Sequence, residues 1–384
     1  MSKIIKIISF LAFVTTSTLA LAAEVNVVSW GGAYTNSQKL GYGDPYAEKS
    51  GVTVNWIDYS GGLGDIKAQN ESGAITWDVM DVYAFEAVQG CDEGLFVEFD
   101  FDNDFPAGVD GSLPSDDFFT GGDNPLTEHP GGMVSPCAVG NILYSWNYGF
   151  NTELFPNHSK GVFDEPQTIN DFFDKDKFPG KRGIYSSAMS NIEMALVADG
   201  VATSDIYEVL DTDEGMDRAL AKLTELCSND GCYFWSGGAQ PPEALVAKEV
   251  SMSTAWNGRL FNAIVAEGSP IKMVWDGQVL DYQYMVLVEG APNQAEGMEA
   301  LKYFTSSQGL ADSAKHISYA PFRKSSLELI QDPWYEGPNG NVDIMPHMPS
   351  APANTKNYVL MNPMWWADNS TDVADKWEAW KAGL

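Results

Sequence analysis

Short apolar runs broken by glycine, asparagine and polar stretches recur along the chain and predict alternating strands and helices. Val25–Trp30 is almost continuously apolar and predicts a buried strand, with Gly31-Gly32-Ala33-Tyr34 turning the chain into a polar helix start. Val52–Tyr59 predicts a second strand, followed by the turn Ser60–Gly64 and a helix from Asp65. Asp78–Val82 predicts a third, ending at Tyr83-Ala84-Phe85 before a helix from Glu86. This alternation argues for an α/β fold with an open parallel sheet and right-handed crossovers. Ligands of such sheets sit beyond the C-terminal strand ends, and those ends carry Trp30, Tyr34, Tyr83 and Phe85.

The second half repeats the pattern. Val139–Asn147 predicts a strand crossing into a second lobe, and Thr168 with Asp171 forms a capping pair for the helix Pro166–Phe173. After the strand Ile184–Tyr185 comes a turn, Ser186–Asn191, and a helix over Ile192–Asp199. Ser187 and Ser190 thus lie beside helix-start N–H groups that favour anions. The stripes of Met216–Leu226 and Pro242–Ala247 are core. The densest region is Ser251–Pro292. There a strand over Val250–Thr254 delivers Trp256 to an Asn257-Gly258 turn, a helix spans Arg259–Glu267, and two strands follow, Ile271–Trp275 and Tyr282–Val288. Each of Trp256, Trp275, Tyr282 and Tyr284 alone would be core. Clustered near turns with Asp281, they fit a pocket wall better. Gly297–Ser306 predicts a helix, Ile317–Phe322 a loop carrying Tyr319, and Met364-Trp365-Trp366 opens a last amphipathic helix.

The first residues change the setting. Lys3 and Lys6, an apolar run from Ile7 to Val14 and the small residues ending at Ala22-Ala23 form a secretory leader, so residues 1–22 are expected to be removed and the mature chain to work in the periplasm. Loss of the two lysines takes the net charge from −31 to −33. That excludes a nucleic-acid binder, which needs a basic footprint. It permits a cationic ligand, although acidic surfaces also suit salty surroundings. Four cysteines in an exported chain read as disulfides. Cys227 and Cys232 bracket a turn and close locally, leaving Cys91 to Cys137; zinc competes weakly, since no C-x-x-C occurs. The glycine-rich Ser60–Gly64 lacks a phosphate-loop register, and Asp100–Gly111 fails the calcium-loop pattern at its sixth and twelfth positions. No nucleophile elbow, HExxH or Ser/His/Asp arrangement appears, so neither a metal, a cofactor nor an enzyme is expected.

Trp256-Asn257-Gly258, Pro179–Arg182, the stretch Glu193–Val201 and Asp281–Tyr284 together resemble the periplasmic spermidine/putrescine-binding proteins of ABC importers, over essentially the whole mature chain. The resemblance implies two α/β lobes of the type II periplasmic-binding-protein kind, closing by a hinge on a ligand in the interlobe cleft. It implies a monomer that delivers its ligand to an ABC permease in the inner membrane. Lobe one would be residues 23–141 with 283–319, and lobe two residues 142–282 with 320–384. By position the ligand site maps to Trp30, Tyr34, Tyr83, Phe85, Ser187, Ser190, Trp256, Tyr282, Tyr284, Tyr319 and Trp366, with its neighbour Trp365. Here the chain departs from the family: Ser187 and Ser190 stand where two acidic residues hold amines. Asp281 and Gln283 substitute for a third acid near Tyr284, and a polar glutamine is replaced around Trp366. Aromatic faces without ammonium partners suit an onium ion, which has no N–H to donate. A zwitterion's carboxylate would then need Arg259 or the Ser187–Ser190 helix start. The expected ligand is a small organic cation: a polyamine, or an onium osmolyte such as a betaine or dimethylsulfoniopropionate. A neutral sugar stacked on tryptophan is the alternative, and an exported enzyme a remoter one.

Overall fold

The computed structural model describes residues 23–118, 133–155 and 165–384; the expected leader lies outside them. Eight strands form one sheet path: β1 (Glu24–Ser29), β2 (Thr53–Asp58), β3 (Val79–Tyr83), β4 (Val139–Asn151), β5 (Arg182–Tyr185), β6 (Cys232–Trp235), β7 (Met252–Trp256) and β8 (Ile271–Leu287), in the order β2-β1-β3-β8-β4-β7-β5-β6. β1 pairs in parallel with β2 and β3, and β5 in parallel with β6 and β7. Between these two parallel groups run β4 and β8, antiparallel to each other along nearly their whole length. Each group keeps its own core. Val27, Val28, Val79, Val82 and Met285 belong to one, and Trp146, Phe150, Ile184, Trp235 and Met252 to the other.

β8 corrects the expectation of two strands. The two segments are one 17-residue strand, with a bulge around Asp276-Gly277. Gly277 takes φ 73°, and the register against β4 shifts between Trp146 opposite Val279 and Tyr148 opposite Val274. Extra residues on one strand bend it and increase its twist, which lets β8 serve both cores. The helix expected at Arg259–Glu267 starts earlier, at Asn257–Phe261, and widens into a π turn at Asn262–Ala266. Phe322, Tyr335, Ile344 and Met348 lie in the first core, where Arg323 Nε pairs with the buried Asp117 at 2.6 Å. The final helix Pro363–Ala382 packs Trp366, Val373 and Trp377 into the second core, as its apolar face predicts.

Both expected disulfides are present, Cys91–Cys137 with Cα atoms 5.7 Å apart and Cys227–Cys232 at 4.7 Å. Among the described residues no group of His, Cys, Asp or Glu is placed to hold a metal ion, and no helix is long and apolar enough to cross a membrane. The Thr168–Asp171 capping box forms as read: Thr168 Oγ1 accepts from Asp171 N at 3.3 Å, and Asp171 Oδ2 accepts from Thr168 N at 3.0 Å. Thr168→Ala is therefore expected to cost about 1 kcal/mol in urea unfolding while leaving ligand binding unchanged.

Candidate functional site

The C-terminal ends of β1, β3 and β7 converge on a cleft between the two cores. Trp30 follows β1 and lies against Tyr83, the last residue of β3, with ring centroids 4.4 Å apart; Trp256, the last residue of β7, faces Trp30 at 6.3 Å. Gly61 supports this wall: at φ 85° a side chain would be strained, and a Cβ would come within 2.8 Å of the Trp30 ring. The Trp-Asn-Gly turn supports the opposite wall. Asn257 Nδ2 donates to Ser318 O at 2.7 Å and its Oδ1 accepts from Ser145 N at 2.9 Å, tying the turn to β4 and to the Tyr319 loop. Gly258 leaves room for the Tyr319 ring, which a Cβ would meet at 2.5 Å.

Trp30, Tyr34, Tyr83, Tyr144, Trp256, Arg259, Gln283 and Tyr319 surround a cavity of about 10 Å³, the space of one water. A larger ligand therefore enters only if the facing walls separate. Arg259 bridges them, its Nη2 donating to Trp30 O at 3.2 Å and to Gly31 O at 2.9 Å. Its Nε and the indole Nε1 of Trp256 are buried and have no hydrogen-bond partner in the fold. Donors left so cost about 1–3 kcal/mol each unless something accepts from them.

Behind the aromatic wall stand carboxylates. Asp81 accepts from Tyr34 Oη and Gln38 Nε2 at 2.7 Å and from Asn141 Nδ2 at 2.9 Å. Asp281 accepts from Tyr144 Oη and, at 2.8 Å, from Tyr282 N. Glu86 caps its own helix, accepting from Gly62 N at 2.6 Å and Tyr83 N at 3.1 Å. Burial pushes each of the three up to about 7, with hydrogen bonds pulling the other way. Tyr34 and Tyr144 thus donate hydrogen bonds from their hydroxyls to carboxylates, which leaves electron-rich ring faces on the cleft wall. A cationic group is attracted to such faces. Tyr319 is pushed up to about 12 by burial, against the pull of the nearby Arg259 guanidinium.

Seven of the residues named from sequence meet here: Trp30, Tyr34, Tyr83, Trp256, Arg259, Gln283 and Tyr319. Asp281 stands one layer back, behind Tyr144. Tyr282 and Tyr284 do not line the cavity. Strand alternation sends them to the other face of β8, against Phe322 at 5.4 and 5.2 Å, and turns Gln283 inward. Phe85, Ser187 and Trp366 line a separate depression of 380 Å³ beside the last helix. Ser190 is buried at φ 64° ahead of its helix, and Trp365 packs on Tyr207 at 5.4 Å. Glu193 accepts from Trp366 Nε1 at 2.9 Å and Tyr207 Oη at 3.0 Å; burial pushes it, too, up to about 7. Trp275 lines a different groove, with Lys272 and Lys356. Sequence reasoning missed Tyr144, whose strand is buried along its entire length and shows no alternation.

The sequence profile of the bacterial extracellular solute-binding proteins matches residues 41–340. The chain belongs to that family. This solute-binding protein is 33% identical over 363 residues, 94% of it and 92% of the relative, to a gamma-aminobutyric acid-binding protein of Pseudomonas aeruginosa. It is 28% identical to an ABC transporter substrate-binding protein from Bradyrhizobium japonicum (TM-score 0.76, covering 93% of this chain and 99% of that one). It is also 28% identical to a structure described as a GABA receptor (TM-score 0.72, 93% and 97%). The spermidine/putrescine-binding protein of Streptococcus pneumoniae shares 13% identity (TM-score 0.61, 94% and 99%), a likeness of fold alone. The two-lobed α/β architecture expected from the sequence, and a binding protein rather than an enzyme, both hold.

Proposed function

We propose that this protein captures a small zwitterion, an amino- or onium-carboxylate of a few carbons, and delivers it to an ABC permease in the inner membrane. The carrying observation is Arg259: a buried guanidinium with an unpartnered Nε, set in an aromatic wall backed by Asp81 and Asp281. The ligand's carboxylate accepts from Arg259 Nε and Trp256 Nε1. Its cationic end rests on the electron-rich faces of Tyr83, Tyr144 and Tyr34. Betaines and dimethylsulfoniopropionate belong to this class, and so does γ-aminobutyrate, the ligand in the names of two relatives. A diamine fits less well, because its second ammonium would face Arg259. The protein works as a monomer outside the cytoplasm, with residues 1–22 as its export leader.

Thermal unfolding of the mature protein with γ-aminobutyrate, glycine betaine, dimethylsulfoniopropionate, putrescine, spermidine and glucose tests this, since a ligand of the native state raises Tm by mass action. The zwitterions are expected to raise it and the polyamines and glucose to leave it unmoved. A shift with putrescine or glucose and none with a zwitterion would overturn the reading.

A further inference from the structure

A glycine outside the cavity controls two of its walls. Gly238 sits in the loop between β6 and the helix Gln240–Val246, and its backbone does not lie in the left-handed region. Its lack of a side chain has another cause. A Cβ there would come within 2.7 Å of Arg259 Nε and within 2.8 and 3.0 Å of the Trp256 ring. Both are side chains whose buried N–H groups lack partners. Trp256 cannot retreat sideways. Trp146, Trp235 and Tyr185 pack around it with centroids at 5.2, 5.4 and 6.0 Å, and Trp146 and Trp235 are fully buried. The direction left to it is across the cleft, towards Trp30 at 6.3 Å. Arg259 is held on its far side by the carbonyls of Trp30 and Gly31.

We infer that Gly238 is a specificity-determining residue: by letting Arg259 and Trp256 lie back against the main chain, it sets the length of zwitterion the cleft accepts. The inference rests on the ligand class proposed above and deepens it. A methyl group at this position moves both donors inward and shortens the space between them and the tyrosines that receive the cation. The longest ligands are lost first, because each methylene of misfit carries a tenfold or larger penalty in a tight pocket.

The test compares Gly238→Ala with Gly237→Ala, whose added Cβ would meet nothing nearer than Gln240 at 3.7 Å. Calorimetry with γ-aminobutyrate and with β-alanine, one methylene shorter, gives a ratio of Kd values for each variant. In Gly238→Ala that ratio is expected to shift by about tenfold or more towards β-alanine, with the Gly237→Ala ratio as in the wild type. Equal weakening of both ligands, an unchanged ratio, or the same shift in Gly237→Ala overturns the inference. A crystal structure of Gly238→Ala judges it without any ligand: Trp256 and Arg259 are expected to stand closer to Trp30, and unmoved side chains overturn it. A wild-type protein that binds neither amino acid would sink the proposed ligand class, while that structure would still decide the role of Gly238.

Discussion

Arg259→Ala is expected to weaken zwitterion binding by about a hundredfold or more, and Arg259→Lys to recover little of it. Removing one partner of a buried, hydrogen-bonded charge pair costs about 2–5 kcal/mol, much of it because the other charge is left desolvated and unmatched. Here the abandoned partner would be the ligand carboxylate, facing a wall backed by the acids Asp81 and Asp281, which offer it no opposite charge. Arg259 also holds the walls together through Trp30 O and Gly31 O, so its loss removes two charge-assisted contacts that favour the closed cleft. Lysine keeps the charge but not the fork. One ammonium cannot reach two main-chain carbonyls and a carboxylate in the directions that a planar guanidinium covers. Calorimetry of both variants checks this, with unliganded Tm measured alongside. Affinity close to wild type in Arg259→Ala would remove Arg259 from the site, whereas loss of folding would show in Tm before any titration.

The frame of this site was legible because it depends on local rules. Strand ends in an α/β sheet are where ligands gather, and that alone picked out Trp30, Tyr34, Tyr83 and, with the Asn257-Gly258 turn, Trp256 and Arg259. What failed depends on register. Tyr282 and Tyr284 were reached by treating an aromatic-rich strand as a wall, yet a period of two puts only alternate residues inward, and that face belongs to Gln283. Tyr144 reaches the cleft because it stands opposite Asp281 across β4 and β8, an antiparallel pairing of segments 137 residues apart that no local pattern encodes. Ser187 and Trp366, carried over from the polyamine binders, line their own depression, with Glu193 beneath Trp366. The acids that back the cleft were the hardest to see. Asp81 and Glu86 look like ordinary polar positions of a strand and a helix start until the sheet buries them.

Those acids give two opposite responses to pH. Asp81, Glu86, Glu193 and Asp281 are each pushed up to about 7 by burial, above their values in an unfolded chain. The folded protein therefore binds more protons than the unfolded one between about pH 4 and 7, and the stability linked to those protons is lost as pH rises through 7. The half-buried His316 and His347, lowered by burial, act in the other direction, since they must charge on unfolding in acid. Four fully buried carboxyls outweigh two partly buried imidazoles, so unliganded Tm is expected to rise as pH falls from 8 to 5. Ligand affinity should move the other way. Ionised Asp281 accepts the hydrogen bond of the Tyr144 hydroxyl behind the ring wall, and its negative charge adds to those of Glu86 and Glu193 nearby. At pH 5, two units below its midpoint, about one molecule in a hundred keeps Asp281 ionised, so affinity is expected to fall by about a hundredfold between pH 8 and 5. Asp281→Asn should flatten that profile, binding as weakly at pH 8 as the wild type does at pH 5. Calorimetry of γ-aminobutyrate or glycine betaine across this range, beside Tm of the unliganded protein, separates the two effects. Affinity that stays level between pH 8 and 5 would leave Asp281 no part in holding the cation, and a Tm that rises with pH would show that the cleft acids are already ionised in the unliganded fold.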